Sequence, residues 1–214
     1  QRIRYQRNTL IPGIGEAGQE RLATASVCIV GLGGLGSPAA LYLAAAGVGA
    51  LGLVDSDVVE LSNLQRQVLH RTDDLDRAKV DSAAETLAQL NPEVRVQKIR
   101  VRLTEENASD LLGPFDAVIE ATDNFETKFL VNDVCLDYEK PFATAGILAV
   151  SGQAQFVVPG KSPCLRCAVP NVPEGVPTTS ELGVLGAVPG ILGSLEAMEV
   201  IRWLAGMWKP REDG

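Results

Sequence analysis

The most informative segment of this 214-residue chain reads Val27-Cys-Ile-Val-Gly-Leu-Gly-Gly-Leu-Gly36. Its four apolar residues predict a buried strand, and Gly31, Gly33 and Gly36 form the pattern G-x-G-x-x-G between that strand and a predicted helix. Glycines in such a turn let backbone N–H groups at a helix N-terminus approach phosphate oxygens. We therefore predict a nucleotide-binding turn, to which Gly34 also belongs.

An acidic residue lies at the sequence position expected after a nucleotide-binding glycine turn. Asp55 follows the second predicted strand, residues 51–54, and lies 19 residues beyond Gly36. In nucleotide-binding units an acidic side chain at this place accepts hydrogen bonds from the ribose hydroxyls. The pattern by itself permits NAD, FAD or ATP.

The following residues alternate short apolar runs with segments of helical period, which is typical of a parallel sheet covered by helices. Further strands are predicted over 94–101, 115–120 and 141–145, and helices over 37–46, 76–90 and 124–138. We therefore predict an α/β fold of the Rossmann-like, doubly wound type with a mostly parallel sheet.

The pattern changes after residue 150. Residues 152–158 alternate polar and apolar side chains, as an antiparallel C-terminal extension of the sheet with one wetter face does. Residues 159–189 contain six prolines and predict an irregular crossover segment. A helix is predicted over 191–205. Its apolar stripe consists of Ile191, Leu195, Met198 and Ile201.

The composition argues against several partners. With 19 basic and 27 acidic residues the formal charge is −8, so the surface repels the phosphates of nucleic acids and anionic lipids. No apolar run approaches the roughly 20 residues that span a bilayer, and the first residues lack the apolar core of a signal peptide. We expect a cytoplasmic protein with no nucleic-acid and no membrane partner, whose native N-terminus precedes Gln1.

Polar residues after the predicted strands distinguish between the nucleotides. ATP carries about four negative charges, and its transfer chemistry uses Arg or Lys side chains together with Mg²⁺ held by a carboxylate. Arg66, Lys79 and Asp123 supply that set, which favours ATP over a dinucleotide. The same edge of the sheet is expected to carry four further nucleotide-binding candidates. These are Asp57, Asn63, Gln67 and Asn124.

Four motifs together resemble the ThiF/MoeB/HesA family, the bacterial relatives of ubiquitin-activating enzymes. They are GLGGLGSP at 31–38, AAAGVG at 44–49, SNLQRQ at 62–67 and ATDN at 121–124, and the likeness extends from RYQR at 4–7 to GSLEAM at 193–198. The resemblance implies a homodimer whose protomers each bind MgATP and a ubiquitin-like sulfur-carrier protein. It also implies adenylation of the carrier's C-terminal Gly-Gly tail, with release of pyrophosphate, for thiamin or molybdopterin sulfur transfer.

The resemblance carries roles to individual residues. It implies that Asp55 binds the ribose and that Asn63 and Arg66 bind the phosphates. It also implies that Lys79 binds the triphosphate and that Asp123 binds Mg²⁺. A tail carboxylate is already ionised at neutral pH, so the reaction needs alignment and charge neutralisation rather than a general base.

Arg7 resembles the family's arginine finger, which reaches into the neighbouring subunit's site. The alternative is a solvated residue of an N-terminal helical arm. We treat the chain as a single activating-enzyme domain, since about 150 residues per domain is usual. Its parts are the arm at 1–25, the nucleotide-binding core at 26–150 and the carrier-binding and crossover part at 151–214.

The cysteines depart from the family pattern. Cys28 and Cys135 lie in apolar runs and are predicted to be core residues, whereas Cys164 and Cys167 have the CxxC spacing of a metal site. Family members commonly hold structural zinc with two CxxC pairs, and such a site needs four ligands. We expect a half zinc site here, because neither the core cysteines nor the single His70 is well placed to complete it. Zn²⁺ would need two more ligands from a further C-terminal segment.

A second departure concerns covalent chemistry. Many relatives place a cysteine in the crossover loop, and Thr179 stands at the corresponding place. A threonine hydroxyl is far too weakly acidic to replace a thiolate nucleophile. We therefore expect an acyl-adenylate to be released or handed over without a thioester to this chain.

Two functions from other classes stay open at this point. An NAD-dependent oxidoreductase is compatible with the glycine pattern and Asp55, but it leaves Arg66, Lys79 and Asp123 without a role. A non-catalytic nucleotide-binding scaffold would bind ATP without pyrophosphate exchange. The sequence does not identify the carrier protein.

Overall fold

A six-stranded sheet forms the centre of the protein, which we describe from a computed structural model covering residues 3–171, 175 and 178–209. The strands are β1 (Ser26–Val30), β2 (Ala50–Val54), β3 (Arg95–Ile99), β4 (Ala117–Glu120), β5 (Phe142–Leu148) and β6 (Ser151–Val157). Their order across the sheet is β3-β2-β1-β4-β5-β6. All neighbours are parallel except β5 and β6, which pair antiparallel from Phe142 opposite Val157 to Leu148 opposite Ser151. The predicted doubly wound fold with an antiparallel extension is confirmed.

Helices connect the strands and cover both faces of the sheet. They are α1 (Gln6–Thr9), α2 (Gly15–Thr24), α3 (Gly36–Ala46), α4 (Lys79–Leu90), α5 (Ala108–Leu112), α6 (Phe125–Asp137), α7 (Leu165–Ala168), α8 (Thr179–Leu182) and α9 (Ala187–Leu204). Short 3₁₀ turns lie at Leu61–Asn63 and Thr72–Asp74. Among the described residues no helix combines the length and the apolar character needed to cross a membrane.

Alternation along the central strand divides the core into two layers. Val27 and Ile29 of β1 point into a layer that includes residues of α3, α4 and α9, while Cys28 and Val30 point into a layer with residues of α5 and α6. Both Cys28 and Cys135 are buried, as predicted. Because the central strands β1, β2 and β4 are buried on both faces, their polar chemistry is confined to the ends where the chain leaves the sheet.

Three element boundaries differ from the sequence prediction. Helix α4 begins at Lys79 rather than near 76, because Asp76 has a φ of +65° and turns the chain before the helix. Strand β3 is confined to Arg95–Ile99 within the predicted 94–101. The crossover segment is interrupted by two short helices, α7 and α8.

The last helix starts earlier and faces the opposite way from the expected orientation. It begins at Ala187, and Ile191 and Met198 of the predicted apolar stripe are 69% and 46% exposed. The buried residues of α9 are Pro189, Gly193, Glu196, Ala197 and Val200. Ile191, Leu195 and Met198 of the apolar stripe are therefore exposed, whereas Ile201 packs against the core and the small residues face inward.

Candidate active site

A cavity of about 340 Å³ lies at the carboxyl edge of β1, β2 and β4. The strand order reverses direction between β1 and β4, which is where open α/β sheets bind ligands. The cavity gathers many of the residues that the sequence singled out. Those lining it are Gly31, Gly33, Gly34, Asp55, Asp57, Arg66, Gln67, Lys79, Asp123 and Asn124.

The glycine turn joins β1 to α3 and exposes its backbone to this cavity. Gly31 has a φ of +92°, and an added Cβ there would lie 2.9 Å from the carbonyl oxygen of Ala121. An added Cβ at Gly36 would overlap the carbonyl oxygen of Gly31, so this glycine permits the close approach of helix and strand. Gly36 does not line the cavity, whereas Gly33 and Gly34 do. The residues that lead into α3, Gly33 to Leu35, therefore line the cavity, so the N-terminal end of the helix adjoins it and favours an anion there.

Asp55 holds the two loops on its side of the cavity. Its Oδ2 accepts a hydrogen bond from the backbone N–H of Leu32 at 2.8 Å, and its Oδ1 accepts one from the N–H of Asp57 at 2.8 Å. The residue is half-buried and lines the cavity. Because each carboxylate oxygen has a further lone pair, Asp55 can order the loops and still accept a ligand hydroxyl.

Lys79 supplies a cation at the wall of the cavity. It is the first residue of α4 and is only 6% exposed, and its Nζ lies 3.0 Å from the Oδ2 of Asp57. A cation at a helix N-terminus is opposed by the helix dipole, so helix stability alone does not favour a lysine there. The ion pair with the more exposed Asp57, which also lines the cavity, holds the ammonium of Lys79 at the cavity wall.

Arg66 and Gln67 follow the 3₁₀ turn at Leu61–Asn63. The guanidinium of Arg66 donates to the carbonyl of Ser62 at 3.0 Å. Gln67 is 4% exposed and lines the cavity, and its Oε1 has no hydrogen-bond partner in the described part of the chain. An orphaned buried acceptor at a cavity wall suits a ligand that donates hydrogen bonds.

Asn63 is placed differently from the prediction. Its Oδ1 accepts from the N–H of Glu60 at 3.2 Å and its Nδ2 donates to the Oγ of Ser62 at 3.3 Å. The residue is 8% exposed and does not line the cavity. In this structure its side chain shapes the turn that presents Arg66.

Asp123 and Asn124 lie beyond β4. Asn124 accepts from the N–H of Thr127 at 2.9 Å and so caps α6. The exposed carboxylate of Asp123 lines this cavity and a second one of about 550 Å³. The two cavities share Thr122, Asp123, Asn124, Ile147 and Thr179.

A buried ion pair supports this shared wall. Glu120, which is fully buried, accepts from the Nζ of Lys128 at 2.7 Å and from the hydroxyl of Thr144 at 2.6 Å. Its other oxygen accepts from the backbone N–H and the hydroxyl of Thr122. The segment 122–124 is therefore anchored to the sheet directly beneath the cavities.

Sequence reasoning missed several of these groups. Arg102 lines the first cavity and directly follows the strand predicted over 94–101, so the strand-end rule that selected Asp55 would also have found it. Glu120 and Lys128 gave no recognisable signal because they read as ordinary strand and helix residues. His70 was considered as a zinc ligand, and no sequence signal indicated that both of its ring nitrogens are engaged.

Besides Gly36 and Asn63, three further predicted site residues line neither cavity. Arg7 is exposed on α1 and lines neither of them. The Sγ atoms of Cys164 and Cys167 are 3.6 Å apart. Burial opposes ionisation of the Cys164 thiol, but hydrogen bonds from Cys167 lower its pKa overall. No group of three or more metal ligands occurs among the residues that the structure describes. Within that part of the chain, Cys164 and Cys167 therefore supply two of the four ligands that a structural zinc site needs.

Fold and cavity together define the class as a nucleotide-binding α/β protein, since a glycine turn opens onto the switch point of a parallel sheet. Comparison with known proteins narrows the class. The chain belongs to the ThiF family, whose family model matches residues 5–213.

Named relatives share much of the sequence. A sulfur carrier protein adenylyltransferase of Thermus thermophilus is 47% identical over 97% of this chain and 79% of its own length. The adenylyltransferase and sulfurtransferase MOCS3 of Sus scrofa is 49% identical over 96% of this chain. The chain spans 46% of that relative's length.

Solved structures of E. coli MccB share the fold. The complex of MccB with MccA-N7isoASN has a TM-score of 0.85 at 26% identity, covering 97% of this chain and 66% of that one. MccB with ATP has a TM-score of 0.84 at 25% identity, covering 97% and 65%.

Proposed function

We propose that this chain catalyses the ATP-dependent adenylation of the C-terminal glycine of a ubiquitin-like sulfur-carrier protein, with release of pyrophosphate. The observation that carries the proposal is the convergence of Arg66, Lys79 and Asp123 on the cavity at the glycine turn. Adenylyltransferase is the activity in the names of the Thermus and pig relatives. Membership of the ThiF family also supports an adenylation reaction.

The first cavity fits the parts of ATP. Asp55 retains lone pairs for the ribose, and Gly33 and Gly34 line the cavity, where their N–H groups would bind the phosphates. Arg66 and Lys79 add the positive charge that a triphosphate requires. Mg²⁺ would be held by Asp123, since carboxylate oxygens are its preferred protein ligands, and would neutralise phosphate charge.

The second cavity fits the carrier's tail. It adjoins the first along 122–124, and its walls include Gly146, where an added Cβ would meet nothing within 4 Å, so there is room for an extended peptide. Lys128 also lines this cavity, where its ammonium is paired with Glu120. A Gly-Gly tail lying there would present its carboxylate next to the α-phosphate.

The reaction then needs positioning rather than proton transfer. A carboxylate oxygen of the tail attacks the α-phosphorus, the bond from that phosphorus to the β-phosphate oxygen breaks, and pyrophosphate leaves with the electron pair. Two anions must approach each other, so the cations Arg66 and Lys79 lower the barrier by neutralising charge. Thr179 lines both cavities, but its hydroxyl is a poor nucleophile, and we expect no covalent adduct on it by mass spectrometry.

ATP–pyrophosphate exchange with purified carriers ending in Gly-Gly tests the function. Lys79→Ala and Asp123→Ala should lower carrier-dependent exchange by on the order of 10³-fold, the lower range for groups that stabilise phosphoryl transfer. Lys98→Ala is the matched control, because Lys98 also pairs with an aspartate, Asp81 at 2.6 Å, but lies outside both cavities. Near-normal exchange in the Lys79 or Asp123 variant would remove that residue from the mechanism, and ATP binding without exchange for any carrier would identify a scaffold.

The active form is a homodimer in this proposal, and Arg7 acts in the neighbouring subunit's site. The exposed apolar residues Ile191, Leu195 and Met198 of α9 offer a surface for a second protomer. Mixed dimers of Arg7→Ala and Lys79→Ala subunits test the arrangement. If Arg7 acts across the interface, each mixed dimer regains one intact site, whereas action within one subunit leaves both sites defective. Light scattering during size-exclusion chromatography checks that dimers form.

The setting of the reaction is the cytoplasm, and the carrier belongs to thiamin, molybdopterin or related sulfur transfer. All four cysteines are free thiols, which suits a reducing compartment. Exchange measured against a panel of carriers decides between the pathways.

A further inference from the structure

His70 is a buried histidine whose two ring nitrogens both have partners. Nε2 lies 3.1 Å from the carbonyl oxygen of Leu32 in the glycine turn, and Nδ1 lies 2.8 Å from the hydroxyl of Ser82 on α4. A carbonyl oxygen only accepts, so Nε2 carries the proton that reaches Leu32. The hydroxyl of Ser82 also hydrogen-bonds the carboxylate of Asp74, so Nδ1 and Asp74 compete for its one proton. Burial lowers the pKa of His70, which favours the neutral ring, against the opposing effect of the Leu32 carbonyl.

The peptide groups of Leu32 are held from both sides. Its N–H donates to Asp55 at 2.8 Å and its carbonyl accepts from His70. Leu32 is fully buried, and without the imidazole its carbonyl would keep only the long hydrogen bond from the Oγ of Ser37, at 3.5 Å. The middle of the glycine turn is thus held mainly by one acid and one histidine.

These bonds close a circuit between the glycine turn and α4. On one side Asp55 connects Leu32 to the N–H of Asp57, and Asp57 pairs with Lys79. On the other side His70 connects Leu32 to Ser82, which lies three residues after Lys79 in α4. The circuit runs through Leu32, Asp55, Asp57, Lys79, Ser82 and His70.

We propose that His70 is a positioning residue for nucleotide binding. It fixes the spacing between the N–H groups of the glycine turn and the ammonium of Lys79, so that both meet one phosphate chain. His70 does not line the cavity and acts through Leu32 and Ser82. The inference rests on the proposed placement of ATP in the first cavity.

The test compares ATP binding by calorimetry without carrier and the KM for ATP in exchange with carrier. His70→Ala should weaken binding and raise KM about 10-fold, the effect of losing one buried hydrogen bond in the glycine turn, with a smaller change in kcat. Ser82→Ala should act in the same direction but less, because the contact with Leu32 is kept. The effects of His70→Ala and Lys79→Ala on binding should be less than additive, since each opens the same circuit.

Thr86→Val is the matched control. The Thr86 hydroxyl on α4 donates to the carbonyl of Leu69 at 3.0 Å, so it joins the same helix to the same loop without touching the glycine turn. It should lower Tm while leaving ATP affinity unchanged. If His70→Ala does not fold, His70→Gln and His70→Asn decide the question. A glutamine amide can reach the position of Nε2 and donate to Leu32, whereas that of the shorter asparagine cannot, so Gln should bind ATP more tightly than Asn.

The outcomes separate the two proposals. Unchanged ATP affinity in His70→Ala, equal loss in Thr86→Val, or equal binding by the Gln and Asn variants would overturn the positioning role. Loss of affinity confined to the circuit supports it even when no carrier gives exchange, which would refute only the carrier function. Failure of the wild-type protein to bind ATP would overturn both.

Discussion

The ends of β2 and β4 carry the same chemical group at the same edge of the sheet and use it differently. Asp55, after β2, accepts one backbone N–H on each carboxylate oxygen and stays half-exposed to the cavity. Glu120, the last residue of β4, is fully buried and accepts four hydrogen bonds from Thr122, Lys128 and Thr144. A carboxylate at a strand end is therefore a ligand group only when its donors leave lone pairs facing the cavity.

The comparison separates binding from scaffolding. Loss of Asp55 should mainly lower the affinity for the nucleotide, because the protein itself uses only part of the hydrogen-bond acceptor capacity of this carboxylate. Loss of Glu120 should mainly lower the free energy of unfolding, because it leaves the ammonium of Lys128 buried without its counter-ion. Variants at the two strand ends should thus divide between ATP affinity and the free energy of unfolding.

Removing the buried acid should have the largest effect. Glu120→Ala leaves the ammonium of Lys128 with the carbonyl of Ala145, at 2.7 Å, as its remaining partner. We expect the free energy of unfolding to fall by about 3–5 kcal/mol in urea denaturation. Combining Glu120→Ala with Lys128→Met should recover part of this loss, since the unpaired charge is then gone. A loss below about 1 kcal/mol in the single variant would mean that the buried pair is not a scaffold.

Removing the strand-end acid that faces the cavity should affect binding first. In Asp55→Ala the charge-assisted hydrogen bonds to a ribose are lost and the glycine turn loses its anchor at Leu32. We expect ATP affinity to fall by about 30- to 100-fold in calorimetry, as for a lost hydrogen bond to a charged group. The free energy of unfolding should change less than in Glu120→Ala. The opposite ranking of the two variants would contradict the division of roles.

A third carboxyl, on α9, sharpens the contrast with Glu120. Glu196 is 1% exposed, and neither of its oxygens has a hydrogen-bond partner within the described ranges. Burial raises its pKa well above the ordinary value, and the negative charge of Glu120 raises it further, against the opposing effect of Lys128. Glu196 is therefore expected to stay protonated in the folded chain at a pH where the unfolded chain has lost that proton.

The raised pKa of Glu196 makes the stability of the folded chain depend on pH. A raised pKa contributes stability below the unfolded value, about pH 4.3, and that contribution is lost as the pH rises toward the folded value. Glu196→Gln removes this dependence. Its free energy of unfolding relative to wild type should be about 1–2 kcal/mol higher at pH 7 than at pH 4, measured by urea denaturation. An unchanged difference between the two pH values would show that the carboxyl has another partner.

The parts of the site that could be predicted from sequence are those built by local chain geometry. Gly31 has a positive φ of +92°, Gly36 lies against the carbonyl of Gly31 within the same turn, and Asp55 lies immediately after its strand. The partners of His70 and Glu120 are assembled only by folding, since Leu32 is 38 residues from His70 and Thr144 is 24 residues from Glu120. No local pattern marks such pairs.

The orientation of α9 was missed for a packing reason. Gly193 approaches α3 so closely that an added Cβ would overlap the carbonyl oxygen of Leu35 and lie 2.7 Å from the ring of Pro38. A helix pressed against another at this distance buries its small residues and turns its large ones outward. The apolar period of Ile191 and Met198 therefore predicted the helix correctly but not the face that it buries.

The end of β3 extends the comparison to a third strand and predicts the smallest effect. Arg102 lines the first cavity but is exposed, so water and salt screen its charge from the phosphates. Arg102→Ala should raise the KM for ATP by about 3-fold at low salt, and by less at 0.5 M salt, because exposed charge pairs contribute little. Lys79→Ala, whose ammonium is buried at the cavity wall, should lose affinity at both salt concentrations. A salt-independent loss in the Arg102 variant would instead indicate a desolvated contact with the nucleotide, formed when the site closes on its ligand.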